Sequence, residues 1–556
     1  MTNNWITYFE RSGLTGSPRY EESMDYFRQF EKRTPFAKMF TIGTSPQGRA
    51  IECLVVAKGK EFTPKSAQKS GKAVVLIQNG IHAGEIEGKD ASMILLREIL
   101  VTKEKFHLLD NIILLVIPIL SVDGHERISR FNRPNQNGPD EMGWRTNSHN
   151  LNLNRDYMKA DTLEVRAFLK LFSAWLPDLF IDNHTTNGAD YQYHVTYALE
   201  RGPNIDPKIA RWGQDVFLPF VRERVEAKGF LTAPYIQFKG GTIDSGLVDA
   251  PAPPRLSTGY TAVQNRLGLL VETHSLKPYE NRVRSTFAMN VAALEIVHRN
   301  HRTLKALNAA ADSSTARLKT LPLVLDVSEK PTPFLFKGFR TGVEISEITG
   351  AEVERYSEAP IEFEIPMFKS ITASRRVRIP KAYLIPKEFS ALIEILQMHG
   401  IKMEQLQKNT QVSVEQYSFD RSTFAASPYE GRHRVDVTCS VTKKIEMIPK
   451  GTYIVETAQR TRKVITHLLE PESPDSFVAW GFFNAFFERK EYAEAYVMEP
   501  IAQNMLNASA GLRHEFEERL KEIAFRDDPA ARLDFFYQRS PFFDINERKY
   551  PIYRLR

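Results

Sequence analysis

The chain has 556 residues with 74 Lys and Arg against 68 Asp and Glu, so its net charge of +6 makes no case for a nucleic-acid partner. Hydrophobic residues make up 42% and charged residues 26%, ordinary globular usage that excludes wholesale disorder. With only 2 cysteines, Cys53 and Cys439, a disulfide scaffold and a cysteine-rich zinc ribbon are both excluded, and any metal site must draw on the 13 histidines and on carboxylates.

At about 150 residues per domain the length predicts two to four domains. The opening stretch MTNNWITYFERSG lacks the basic region and apolar core of a signal peptide, so the default expectation is a cytoplasmic protein, or a periplasmic or secreted one if a leader has been trimmed. Ala73–Gln78 (AVVLIQ) predicts a buried strand, Gly80 breaks it, and a helical pattern follows through Leu100. Asn111–Leu120 (NIILLVIPIL) is a second strand, too short to span a bilayer. Val165, Phe168, Leu169, Phe172, Trp175 and Leu176 recur at helical spacing, and Asp178–Asp182 (DLFID) is a strand after Pro177. Leu267–Val271 (LGLLV) is another strand, and a long helix covers about Arg284 to Ala311. Strands alternating with helices imply an α/β sheet, mixed but mostly parallel.

Beyond residue 315 the texture changes. Ile361, Phe363 and Ile365 alternate with Glu362 and Glu364, and Val412/Val414 and Val435/Val437/Cys439 do the same, with one helix near Glu388–Met398. Helical patterning is expected again from Ser473 to about Arg526, where the aromatic run of Phe477, Trp480, Phe482, Phe483, Phe486 and Phe487 reads as core. The expected division is 1–314 catalytic, 315–470 β-rich accessory and 471–556 a helical C-terminal segment.

The chemistry gathers in the first 300 residues. His82 and Glu85 lie three apart, a spacing that on a helical turn lets an imidazole and a carboxylate share one ion. His184 ends the strand DLFIDNH, where an open α/β sheet places its ligands. Glu272 follows the apolar LGLLV, an expensive place for a carboxylate without a partner or a task. Two His and one Glu with a fourth position open make a catalytic zinc shell. Asp182, two residues before His184, is placed to orient its imidazole. His125, His149, His194 and His274 read as structural, and the two cysteines as small buried hydrophobes. No phosphate-binding glycine loop and no G-x-S-x-G elbow occurs.

Seven ordered motifs, GTSPQGR (43–49), HAGE (82–85), VDG (122–124), NLNRD (152–156), NHTT (183–186), GGTID (240–244) and VETHS (271–275), give the chain a further property: over about residues 15–300 it resembles the carboxypeptidase A-like zinc carboxypeptidases. The resemblance implies one Zn2+ per chain held by His82, Glu85 and His184. It implies that Glu272 is the general base and later acid, and that Asn154 and Arg155 grip the terminal carboxylate of a peptide substrate. An arginine between VDG and that pair is implied to stabilise the oxyanion. Arg127, Arg130, Arg133 and Arg145 lie in the window, with Arg145 preferred and Arg133 second. The mobile tyrosine of the family falls by ungapped alignment on Ile236, so Tyr235 beside it, or Tyr260, is expected to serve. Ile243 occupies the position that tunes side-chain preference and hints at an apolar or aromatic C-terminal residue. Two departures stand out: Gly84 replaces an arginine of the best-known members, and an insertion, VDAPAPPRLSTGY, precedes Glu272 as a stiff loop near the substrate. The same metal set would serve an amidase of cell-wall γ-glutamyl or mixed-chirality peptides, or an N-acyl amino acid deacylase. A catalytically dead binding protein is disfavoured by the complete set. Oligomeric state has no reading.

Overall fold

The computed structural model describes residues 5–186 and 188–556, so the first four residues of the opening stretch lie outside it. The first strands are β1 (Ala37–Thr44), β2 (Ala50–Val56), β3 (Ala73–Gln78), β4 (Ile112–Ile117), β5 (Leu179–Thr186), β6 (Val195–Leu199), β7 (Thr232–Pro234), β8 (Leu247–Val248) and β9 (Leu267–His274). All but β8 form one eight-stranded sheet in the order β1-β2-β4-β3-β5-β9-β6-β7. The central pairs β4/β3, β3/β5 and β5/β9 are parallel, while β1/β2, β2/β4 and β9/β6 are antiparallel. Every residue of β3, β4 and β5 is buried, which is why β3 and β4 read as nearly unbroken apolar runs, while β5 turns polar from Asp182 onward, where it enters the site. Helices Glu87–Leu100 and Tyr279–Thr315 pack on one another and against the sheet, and Leu163–Trp175 and Ser257–Val263 pack on other strands. The long helix, expected from about Arg284, starts five residues earlier at Tyr279 and leaves helical geometry at Asn300. The predicted α/β architecture is the one observed.

Chain order reverses around β3. It passes first to β4 on one side and then to β5 and β9 on the other, so the carboxyl ends of β3, β5 and β9 open onto one crevice. Registers set what meets there: Gln78 of β3 pairs with Asp182 of β5, and His184 of β5 pairs with Glu272 of β9.

The C-terminal half is β-rich, as expected. β10 (Thr320–Val327) pairs with β13 (Ile371–Arg378), and the long hairpin β11 (Pro331–Ile345) and β12 (Glu352–Phe368) takes β8 of the insertion as its third strand. A six-stranded antiparallel sheet runs in the order β15-β18-β14-β19-β16-β17, from β14 (Ala382–Ile385), β15 (Glu404–Gln405), β16 (Thr410–Phe424), β17 (Val435–Ile448), β18 (Tyr453–Glu456) and β19 (Tyr553–Leu555). The expected helix near Glu388–Met398 spans Ser390–Met398. The helical expectation for Ser473–Arg526 needs correction: residues 473–487 form turns and a short 3-10 segment, and regular helix begins at Ala495. Gly481 is the physical reason. It holds φ +76°, and a Cβ there would lie 2.6 Å from the His433 carbonyl oxygen, so the chain turns and folds Phe477, Trp480 and Phe483 inward instead of winding. Among the described residues no helix is long and apolar enough to cross a membrane.

Candidate metal centre and substrate site

At the carboxyl end of β3 the chain turns through Gly80 (φ +63°) and delivers His82 and Glu85 just before the helix Glu87–Leu100. That helix can sit so close because residue 88 is glycine: a Cβ there would lie 2.4 Å from Asn79 Oδ1 and 2.6 Å from Asn183 Cβ. Asn183 Nδ2 donates to Asn79 Oδ1 (2.8 Å), tying β5 to β3 at this level.

His82, Glu85 and His184 converge, with one ligand atom of each within 4.8 Å of the others, the one such group among the described residues. His82 Nδ1 lies 3.2 Å and His184 Nδ1 3.0 Å from Glu85 Oε2, and all three side chains are buried. Ligands about 2.0–2.2 Å from a tetrahedral zinc would lie roughly 3.3–3.5 Å apart, close to these separations. The outer ring nitrogens are spoken for. His184 Nε2–H donates to Asp182 Oδ2 (2.7 Å) and His82 Nε2–H to Asn152 Oδ1 (3.0 Å), so both Nδ1 atoms face inward toward Glu85. Gln78 Nε2 holds Asp182 Oδ1 at 2.8 Å. The donor set therefore fits zinc in chemistry and spacing.

Charge balances the cluster. Burial works to raise the Glu85 carboxyl, but His82, Arg133 and hydrogen bonds from both imidazoles hold it well below the usual range. Arg133 Nη2 and Arg145 Nη1 reach Glu85 Oε1 at 3.0 and 3.1 Å, and the Thr185 N–H donates to Oε2 at 3.1 Å. Both arginines of the predicted window thus reach the cluster; the Arg133 side chain is 13% exposed and that of Arg145 44%. Arg133 also occupies the space beside Gly84, where a Cβ would meet its Cδ at 2.4 Å. Glu272 is buried beside His184. Burial pushes its carboxyl up to about 8, opposed by His184 and reinforced by Glu85 and Asp182.

The remaining expected residues separate into two groups. Tyr235 belongs to the site: the neighbouring Glu272 carboxylate, followed by burial, pushes its phenol up to about 12, and Glu85 and Arg145 lie within electrostatic reach. Ile236 instead joins an apolar cluster with Tyr191, Tyr193 and Phe336, against which Ile243 also packs. Tyr260 is buried far into the core, donating to His399 Nδ1 (3.0 Å). Asn154 accepts from the Ser257 N–H through Oδ1 (3.0 Å), and Arg155 is half-buried, with Nη1 on the Asn154 carbonyl (2.7 Å) and Nε on the Tyr429 hydroxyl (3.0 Å).

The other motifs are scaffolding. Asp123 of VDG accepts from Ser45 Oγ (2.8 Å), the Gln47 N–H (3.0 Å), Arg49 (2.8 Å) and Ser148 Oγ (2.9 Å), so it joins GTSPQGR to the loop entering Asn152. Asp156 of NLNRD accepts from the Asp161 N–H (2.9 Å), the Thr162 N–H (2.8 Å) and Thr162 Oγ1 (2.7 Å) and locks the exit. The insertion before Glu272 is pinned, its Ala252 N–H on Glu200 and Arg255 on Asp475. His125 faces Glu126, His194 accepts from the Leu231 N–H, and His274 lies on the Ala189 carbonyl. Asn152 and Gln78 escaped the sequence reading. A polar side chain ending an otherwise apolar, fully buried strand was the available clue to Gln78; nothing local marked Asn152 beyond its place in the motif.

Residues 23–204 match the family model described as zinc carboxypeptidase. Carboxypeptidase 2 of Trichophyton rubrum is 23% identical over 489 residues, covering 84% of this chain and 85% of the relative. Carboxypeptidase 2 of Trichophyton tonsurans is 24% identical over the same shares. Among solved structures, a metallo-carboxypeptidase from Burkholderia cenocepacia is 20% identical with a TM-score of 0.38, covering 51% of this chain and 70% of its own. Carboxypeptidase A from Helicoverpa armigera is 17% identical with a TM-score of 0.37, covering 53% and 74%.

Proposed function

We propose that the chain, whose residues 23–204 match the zinc carboxypeptidase family model, is a zinc metallopeptidase that removes the C-terminal residue of a peptide bearing a free carboxylate. The observation that carries this reading is the pairing of Glu272 with His184 across β5 and β9, which puts a buried carboxylate beside the metal-binding triad.

His82, Glu85 and His184 would hold a zinc ion, which would supply Lewis acidity toward a water and the scissile carbonyl. Glu272 takes the proton of the attacking water and passes it to the leaving amine nitrogen. Arg133 and Arg145 bring positive charge to the place where the carbonyl oxygen gains negative charge. Arg155 offers its guanidinium fork to the terminal carboxylate, and Asn154 stands beside it. Tyr235 lies within electrostatic reach of Glu272, where it can face a bound substrate. Asp182 and Asn152 keep the ligand imidazoles in the tautomer a metal needs.

A peptide library that includes cell-wall stem peptides and N-acyl amino acids, read by mass spectrometry, tests the reading. Single-residue release from free C-termini, loss of activity on chelation with return on adding zinc, and no cleavage of C-terminal amides are expected. Glu272→Gln should keep about one zinc and lose at least ~100-fold in kcat. Equal cleavage of amides, or normal turnover by Glu272→Gln, overturns it.

A further inference from the structure

The hairpin of β16 and β17 belongs to the C-terminal half, yet its turn, residues 425–434, reaches the segment that carries Asn152, Asn154 and Arg155. The Tyr429 hydroxyl accepts from Arg155 Nε at 3.0 Å, and its ring stacks on Trp480 (6.0 Å between centroids, 17° between planes). Glu430 Oε2 accepts from the Asn152 N–H at 2.8 Å. The contact is pinned from behind. Arg432 grips Asp161 with both Nη2 (2.6 Å) and Nε (2.7 Å), and Gly431 brings the backbone so close to Leu151 that a Cβ would lie 3.1 Å from its Cδ2. Glu430 adopts φ +51°, a left-handed conformation that a residue with a side chain holds only when its surroundings enforce it.

Each contact bears on one functional group. A guanidinium has five N–H donors in a rigid plane. With Nε on Tyr429 and one Nη1 hydrogen on the Asn154 carbonyl, the plane of Arg155 is fixed at two points, and Nη2 with the second Nη1 hydrogen remains for a two-point grip on a carboxylate. Asn152 Oδ1 accepts from both His82 Nε2 and the Asn154 N–H, so holding the backbone of Asn152 in place aims a metal ligand and the substrate grip together.

We propose that Tyr429 and Glu430 are positioning residues of the peptidase site, Tyr429 for the carboxylate grip of Arg155 and Glu430, through Asn152, for the metal ligand His82. The Tyr429 half rests on the substrate-binding role given to Arg155 above; the Glu430 half does not. The C-terminal half would then complete the catalytic machinery and not merely adjoin it.

Two variants test this in the full-length chain. Tyr429→Phe keeps the ring and its stacking. It should raise KM for a free-carboxylate peptide about 5–10-fold, with kcat within about two-fold of the parent and the melting temperature and zinc content unchanged. Glu430→Ala should weaken zinc affinity about 10-fold in competition with a chromogenic chelator, and Glu430→Gln, which keeps an acceptor oxygen, should restore most of it. A parental KM in Tyr429→Phe overturns the first assignment, as does a fall in melting temperature with kcat and KM changed together, since that marks ordinary packing. Parental zinc affinity in Glu430→Ala overturns the second. If the parent enzyme itself cleaves amidated and free peptides alike, the carboxypeptidase reading fails and takes the Tyr429 assignment with it, while the zinc measurement still decides Glu430.

Discussion

Arg133 and Arg145 reach the same oxygen of Glu85 from a loop with little regular structure, and they differ chiefly in burial, 13% against 44% side-chain exposure. A charge held away from water acts more strongly on a neighbouring developing charge. Arg133→Ala is therefore expected to cost roughly 100-fold in kcat, and Arg145→Ala less than about 10-fold, in steady-state kinetics on one peptide. The reverse order would hand the oxyanion to Arg145. At Gly84 the Arg133 stem fills the room a side chain would need. His82, Glu85 and His184 were legible because metal chemistry admits few residue types and the chain has almost no cysteine. The order of the two arginines was not, since loop 125–150 carries no periodicity from which a direction can be read.

Among the elements, the junction of β3, β5 and the helix Glu87–Leu100 is the most exacting. Asn79, Asn183 and Ser92 form a buried polar bridge, with Asn79 Nδ2 on Ser92 Oγ at 3.1 Å, and Gly88 is the gap that lets the helix approach it. Gly88→Ala forces a methyl group against Asn79 and Asn183 and should cost ~1–3 kcal/mol, read as a lowered melting temperature, with weaker zinc binding because His82 and Glu85 precede that helix. An unchanged melting temperature would show that the helix can retreat at no cost. The buried strands β3 and β4 were readable from their apolar runs, because a strand covered on both faces has no polar side to confuse the pattern. The aromatic run 477–487 was not, since aromatics fill a compact turn as readily as a helix.

At the scale of the whole molecule, one apolar core joins the two halves. It holds Trp5, Ile77 and Phe180 together with Tyr383, Val464, Phe477 and Ile552. Polar contacts cross the same boundary: Lys463 Nζ donates to the Asn204 carbonyl (2.8 Å), and Arg432 pairs with Asp161. Even the last strand, β19, returns between β14 and β16. A fragment ending at residue 314 would expose the inner face of this core and is expected to be insoluble or to melt without cooperativity in circular dichroism, whereas a sharp transition would mark an autonomous peptidase domain.

The sequence by itself predicted the α/β sheet and picked out His82, Glu85 and His184, which the fold brings together, because apolar runs and donor chemistry are local properties of a chain. Only the tertiary structure decided that Tyr235 and not Tyr260 lies within electrostatic reach of Glu272, that Asn152 contacts His82, and that Tyr429, 274 positions from Arg155, touches it. The physical reason is that hydrogen bonds and burial act between residues the fold brings together, and separations of this length leave no period, spacing or composition in the sequence to announce them.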